Sequence, residues 1–276
     1  TALSGESSVN TLERAGHHLR LSFSPVHVDD GIRGVVMLVL DISSQYAAEQ
    51  SRRMFTANVT HELKTPLTSV LGYAEMIRYG LAKPEDVPSF AARIHDEAAR
   101  LLTLVDDIMK LSRLDEGRGS LNFEDVDLYH LADSVCTRMA DNANKFQVKI
   151  AMHGAPCVIR AIPTMVDEVL SNLCDNAIKY NRPDGTVDIS LKKSKAGVTL
   201  RIANTGAAIP ADALPHVFER FYRADASRSK EVPGTGLGLS IVKHICEIHR
   251  ASISVTSEED CTAFTIQWPS DPGAVL

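Results

Sequence analysis

Two long sets of apolar residues at helical spacing constrain this chain more than any other feature. Phe55, Val59, Leu63, Leu67, Val70, Ala74 and Ile77 recur at steps of three and four. Phe90, Ile94, Leu101, Val105, Ile108 and Leu111 repeat the pattern at steps of three, four and seven, with Leu104 at the edge. Such steps align each set as one stripe along a helix. The spacing predicts helices over about 44–79 and 88–114, with Gly80 and the 84–88 segment, which carries Pro84 and Pro88, closing the first. Two such helices on a short connection form an antiparallel hairpin, and one hairpin cannot bury both stripes. A second copy of the chain, completing a four-helix bundle, is the simplest remedy; packing against another part of the same chain is the other.

The first helix carries His61, followed at once by Glu62 and then by Thr65 and Pro66. At about 100° per residue, His61 falls about 160° from Leu63, on the face opposite the stripe, and Thr65 and Thr68 share that outer face. A neutral imidazole is a competent nucleophile toward phosphorus, and an adjacent carboxylate can hold one ring N–H so that the other nitrogen attacks. Pro66 cannot donate to the preceding turn, which predicts a bend just past the histidine and a hinge that gates access to it.

Before these helices, residues 17–42 alternate as a strand does. Leu19, Leu21 and Phe23 share one face, Asp29-Asp30-Gly31 reads as a turn, and an apolar run follows over 35–40, so a β-hairpin of a larger sheet is predicted. That run is too short to cross a bilayer. The net charge of −6 argues against a nucleic-acid surface, and the apolar fraction of 44% supports a real core. Five scattered cysteines, without metal-ligand spacing, read as reduced and mostly buried.

Residues 116–120 read as a turn-rich linker, after which short strands and helices alternate. Helices are predicted over about 128–142, 163–179 and 238–249, and strands over 147–151, 186–192, 197–203, 252–257 and 262–268. That mixture is an α/β sandwich of ordinary domain size. On the helix through 165–180, Asn172, Asn176 and Lys179 form a polar ledge at spacings of four and three. Amide oxygens there suit a hard cation and the ammonium suits phosphate. Asn204, Thr205 and Gly206 end a strand, Phe218 to Arg223 follow, and Gly234-Thr235-Gly236-Leu237-Gly238 opens a helix whose first N–H groups face outward.

The segment around His61 resembles the phosphoacceptor box of bacterial two-component sensor histidine kinases. Residues 172–180 resemble the N box of their ATP-binding domain, shared with DNA gyrase and the large heat-shock chaperones. Residues 204–210 resemble the first glycine box, 218–223 the F box, and 234–240 the second glycine box. The resemblance covers residues 44–268, nearest to the PAS-linked phosphate-sensor and cell-wall-sensor type. Residues 17–43, ending in Asp41-Ile42-Ser43, are similar to the last strands of a PAS sensory domain; a generic hairpin is the alternative.

The resemblance implies an α+β multidomain fold. It comprises the end of a PAS-like domain over 1–43, a dimerising phosphotransfer hairpin over 44–116 and a catalytic ATP-binding domain over 117–276. It implies that His61 is phosphorylated from MgATP and passes the group to an aspartate of a partner receiver domain. Glu62 assists, and Thr65 marks a second activity, dephosphorylation of that partner. Asn176 is the implied magnesium ligand, supported by Asn172, while Lys179 and Tyr180 contact phosphate and sugar or base. Arg223 is implied to reach the terminal phosphate, with Arg220 second to it, and Phe218 and Phe221 anchor a lid. Gly206, Gly234, Thr235, Gly236, Leu237 and Gly238 complete the nucleotide site. Two departures stand out. The adenine-reading aspartate is Asn204 and a following glycine is Ala208, which weakens the expected base contact from about 1.5–3 to about 0.5–1.5 kcal/mol. A His-Gly-Gly turn is replaced by His249-Arg250-Ala251.

The chain begins at Thr1 and reads as the cytoplasmic part of a membrane sensor, whose membrane segments lie outside it. Two other classes remain: a gyrase- or chaperone-type ATPase in which His61 is incidental, and a catalytically silent dimeric scaffold.

Overall fold

The computed structural model describes residues 6–28, 31–116, 122–224, 234–258 and 260–270. The chain divides into two compact units, Thr1–Thr65 and Pro66–Leu276.

The first unit opens with an antiparallel sheet of β1 (Ser8–Arg14), β2 (His17–Val28) and β3 (Gly31–Asp41), in that order. The expected hairpin is β2 and β3, with Leu21 opposite Val39 and Phe23 opposite Met37. Its turn at residues 29–30 lies outside the described residues. The strand β1 extends the hairpin into the larger sheet. It is largely polar and exposed, so it carries little apolar alternation, and it joins β2 through Ala15 and Gly16, both at positive φ.

The sheet passes into α1 (Ser43–Arg78) at a compact junction. Asp41 Oδ1 accepts from Ser43 N at 2.9 Å and from its hydroxyl at 2.6 Å, and Ser43 Oγ accepts from His18 N at 2.8 Å. The His18 and Tyr46 rings stack at 3.7 Å. The hydrogen bonds from Ser43, then His17, hold the exposed Asp41 carboxyl down at about 2. The helix continues through Pro66, and the two compact units divide at the Thr65–Pro66 bond.

In the second unit, the end of α1 turns back into α2 (Val87–Glu116). Gly80, at φ 67°, takes the left-handed position after the helix, and Leu81 N donates to the Met76 carbonyl at 2.9 Å. The Tyr73 and Phe90 rings, 5.2 Å apart, close the hairpin, with the Arg93 guanidinium over Tyr73. The stripes are only partly covered: Leu104 and Leu111 are buried, whereas Leu67 is 51% and Val105 44% exposed. Residues 117–120 of the expected linker lie outside the described residues.

The remainder is a layer of helices on a sheet. The five-stranded sheet runs β5 (Lys149–His153), β7 (Thr186–Ser194), β8 (Gly197–Asn204), β10 (Cys261–Pro269), β9 (Ser252–Glu258), with only β5 and β7 parallel. Val187, Ile189 and Leu191 of β7 and Leu200 and Ile202 of β8 are buried. They share the core with the buried faces of α3 (Leu128–Lys145), α4 (Pro163–Lys179) and α5 (Gly238–Ile248). The expected strand at 147–151 is observed at 149–153. Two strands were not foreseen: β4 (Glu124–Asp127) and β6 (Val158–Ala161) pair with each other, and four residues are too few to establish alternation. Asp127 ends β4 and caps α3, its Oδ1 accepting from Tyr129 N and His130 N.

Candidate functional site

Helical phase alone carries His61 outward on α1. Its side chain is 80% exposed, and Nδ1 lies 3.7 Å from Glu62 Oε1. The ring therefore has its Nδ1 side toward a carboxylate and its Nε2 edge toward solvent. One turn on, the Thr65 hydroxyl donates to the His61 carbonyl at 3.3 Å. Thr60 and Thr56 back-bond in the same way along the helix. All three expected residues of this cluster, His61, Glu62 and Thr65, come together in the unit Thr1–Thr65.

The remaining expected site residues lie in the other unit, on α4, at the end of β8 and around the start of α5. Asn172 and Asn176 stand one turn apart on α4, both half-buried. The Asn172 amide N–H₂ donates to the Glu168 carbonyl and to Glu168 Oε1, each at 2.9 Å. That leaves its oxygen facing Gly238, so close that a Cβ there would sit 2.6 Å away. Asn176 makes no side-chain hydrogen bond among the described residues, so its amide oxygen is available to a ligand. Lys179 is held by Asp175 at 2.6 Å, one turn back on the same helix. Tyr180 caps α4 and is 46% exposed.

Asn204 is buried at the end of β8, and its amide donates to the Tyr180 carbonyl at 3.4 Å. An aspartate could not make that bond; the amide ties β8 to the end of α4. Gly206 bridges to Asn181 and lies against the Tyr180 carbonyl, where no side chain fits.

The glycine-rich loop and the segment that follows β8 interlock. Phe221, at φ 66°, donates its N–H to the Gly236 carbonyl at 2.9 Å. Gly236 takes φ 72°, and a Cβ on it would meet the Phe221 backbone at 2.9 Å. The Phe218 ring meets Phe264 edge-on at 6.1 Å, which anchors this segment to the sheet. Arg223 donates to the Gly234 carbonyl at 2.9 Å, so it sits on the loop itself. The first turn of α5 begins after Leu237, which supplies no capping side chain, and its N–H groups remain as donors for an anion. The Thr235 hydroxyl donates to Asp107 Oδ2 at 2.7 Å and accepts from Leu237 N at 3.3 Å.

Four polar residues here were not singled out from the sequence. Glu168, one turn before Asn172, was legible as an i, i+4 partner. Asp107, Lys110 and Asp115 on α2 carried no such signal. The described cysteines are free, and burial pushes the thiols of Cys174 and Cys246 up to about 12, so they are inert at neutral pH.

Two family models match the chain. Residues 51–117 match the His Kinase A (phospho-acceptor) domain, and residues 161–272 match the histidine kinase-, DNA gyrase B- and HSP90-like ATPase domain. The C-terminal part is thus an ATP-binding domain of that superfamily. The chain is 33% identical over 251 residues to sensor protein kinase WalK of Staphylococcus aureus, across 90% of this chain and 60% of that protein. Against WalK of the Newman strain the covered share is 41% of the relative, so the chain spans about half the length of its curated relatives. The fold matches the Acinetobacter baumannii histidine kinase AdeS with a TM-score of 0.61 at 26% identity, over 76% of this chain and 98% of that one. Histidine kinase ThkA, solved in complex with response regulator protein TrrA, has the same fold at a TM-score of 0.65 and 23% identity, over 99% of this chain and 81% of ThkA. Among the described residues no helix is long and apolar enough to cross a membrane.

Proposed function

Because the chain belongs to the two-component sensor histidine kinases, we propose that it phosphorylates His61 from ATP and passes the phosphoryl group to an aspartate of a response-regulator receiver domain. One observation carries the reading: an imidazole 80% exposed on a helix, with Glu62 3.7 Å from Nδ1 and Nε2 left as the outward nitrogen. Nε2 attacks the γ-phosphorus in line, the bond from that phosphorus to the bridging oxygen breaks, and ADP leaves with the electron pair. Glu62 holds the Nδ1 proton and stabilises the positive charge that develops on the ring.

The nucleotide is bound between the α4 ledge, Gly206 and the uncapped start of α5. The available amide oxygen of Asn176 and the oxygen of Asn172 fit a magnesium ion bound to polyphosphate. The metal supplies charge neutralisation on the phosphate oxygens. Lys179 and Arg223 reach phosphate after leaving Asp175 and the Gly234 carbonyl, and Tyr180 and Asn204 border sugar and base. Thr65, one turn from His61 on the same face, positions water for dephosphorylation of the regulator. The division 1–43, 44–116 and 117–276 assigns a PAS-like remnant, a dimerising phosphotransfer hairpin and a catalytic domain. The half-covered stripes of α1 and α2 support a homodimer through that hairpin. The whole protein sits at the cytoplasmic side of the cell membrane.

Incubation with γ-labelled ATP tests this directly. The label is expected on His61, acid-labile and alkali-stable, and absent from His61→Gln. ATP hydrolysis without any such phosphoprotein would favour a gyrase- or chaperone-type ATPase and sink the proposal. Thr65→Ala is expected to label normally yet lose most dephosphorylation of the partner; undiminished dephosphorylation would remove Thr65 from that role.

A further inference from the structure

The three α2 residues that sequence reasoning passed over all reach the rim of the nucleotide site. Asp107 takes the Thr235 hydroxyl at 2.7 Å, in the middle of the glycine-rich loop. Lys110 Nζ meets Glu168 Oε1 at 2.8 Å, the same oxygen that accepts from Asn172. Asp115 takes Arg220 through both oxygens, at 2.8 and 3.1 Å, and His244 of α5 lies 3.7 Å from it. Between these contacts Leu111 is fully buried.

We propose that Asp107, Lys110 and Asp115 form a clasp on Thr235, Glu168 and Arg220 that competes with the nucleotide, so that nucleotide loading and release of the catalytic domain from α2 are one linked equilibrium. The inference rests on the nucleotide site proposed above. A polyphosphate at the start of α5 would bring several negative charges beside the Asp107 carboxylate. Two like charges in a partly dry site repel far more than in water. Burial already works against ionisation of Asp107, opposed by the Thr235 hydrogen bond and the Lys110 charge. A phosphate that draws on Arg220 competes with the Asp115 carboxylate for the same cation. The site therefore surrenders contacts to α2 as it gains contacts to the nucleotide, and by linkage whatever loosens the clasp tightens binding by the same factor.

The test uses the whole chain, the isosteric double variant Asp107→Asn/Asp115→Asn and, separately, Lys110→Met. Hydrogen exchange of residues 104–115 without nucleotide is expected to rise in both variants. A non-hydrolysable ATP analogue with magnesium is expected to bind the double variant at least about fivefold more tightly by calorimetry, the lower end of typical coupling. Saturating analogue is expected to raise exchange of the same α2 segment in the unsubstituted chain. Faster exchange with unchanged or weaker binding would overturn the clasp while leaving the nucleotide site intact. So would α2 protection that saturating analogue does not alter. No analogue binding to any of the proteins would overturn the nucleotide site and the clasp together.

Discussion

Two histidines of this chain stand at opposite ends of what imidazole can do. His61 is held in water with one nitrogen toward a carboxylate. His249 is buried, its Nδ1 2.7 Å from the Ile245 carbonyl and its Nε2 accepting from Ile162 N at 3.0 Å, with Phe123 edge-on to its ring. Burial lowers its pKa, against a smaller raising effect of the Ile245 bond, and a proton on Nε2 would abolish the acceptor that Ile162 needs. The unfolded chain, with a histidine pKa near the usual ~6.5, then binds more protons than the fold in the window below that value. His249 stability is thus complete above about pH 6.5 and lost as pH falls through that window. Thermal melts from pH 8 to 5 should show this loss, and His249→Gln, less stable throughout, should show a shallower slope. Equal slopes would exclude the histidine as its source. Asn204→Asp carries two opposed effects: it loses the bond to the Tyr180 carbonyl, lowering the melting temperature without nucleotide, yet restores a charged acceptor for adenine. About 1 kcal/mol of stronger hydrogen bonding corresponds to roughly fivefold tighter ATP. Calorimetry that finds weaker binding would mean the amide itself reads the base.

At the scale of elements, the helices of the hairpin are legible and their partner is not. The stripes locate α1 and α2 within two residues of the observed bounds, because a 3.6-residue period survives in sequence whatever covers it. Among the described residues of α2 only Leu104 and Leu111 are buried, whereas Leu67 of α1 and Val105 remain about half exposed. Burying such side chains contributes about 1.5–3 kcal/mol each, which a second hairpin would supply. Leu67→Asp/Val105→Asp is expected to convert a dimer to a monomer in sedimentation; an unchanged dimer would place the interface elsewhere. The short strands β4 and β6 mark the limit of pattern reading. β4 leads into α3 and β6 into α4, so their pairing joins the starts of two helices, which four residues of alternation do not reveal.

For the whole molecule, the proposed acceptor and the proposed nucleotide residues fall in different compact units, so nucleotide binding is expected to be a property of the second alone. His61→Gln should therefore keep the stabilisation that ligand gives, about 2.7 kcal/mol at one hundred times Kd. A thermal shift lost in that variant would tie the histidine to binding rather than to transfer.

The sequence by itself determined the helical stripes, the outward phase of His61 beside Glu62, and the order of the residues proposed to border the nucleotide. These depend on local periodicity and on neighbours in the chain. Only the tertiary structure decided that Thr235 is tied to Asp107 and Arg220 to Asp115, partners 128 and 105 positions apart. No local pattern encodes such pairs, because they form only when α2 packs against α5 and brings two distant, individually unremarkable carboxylates to the rim of the site.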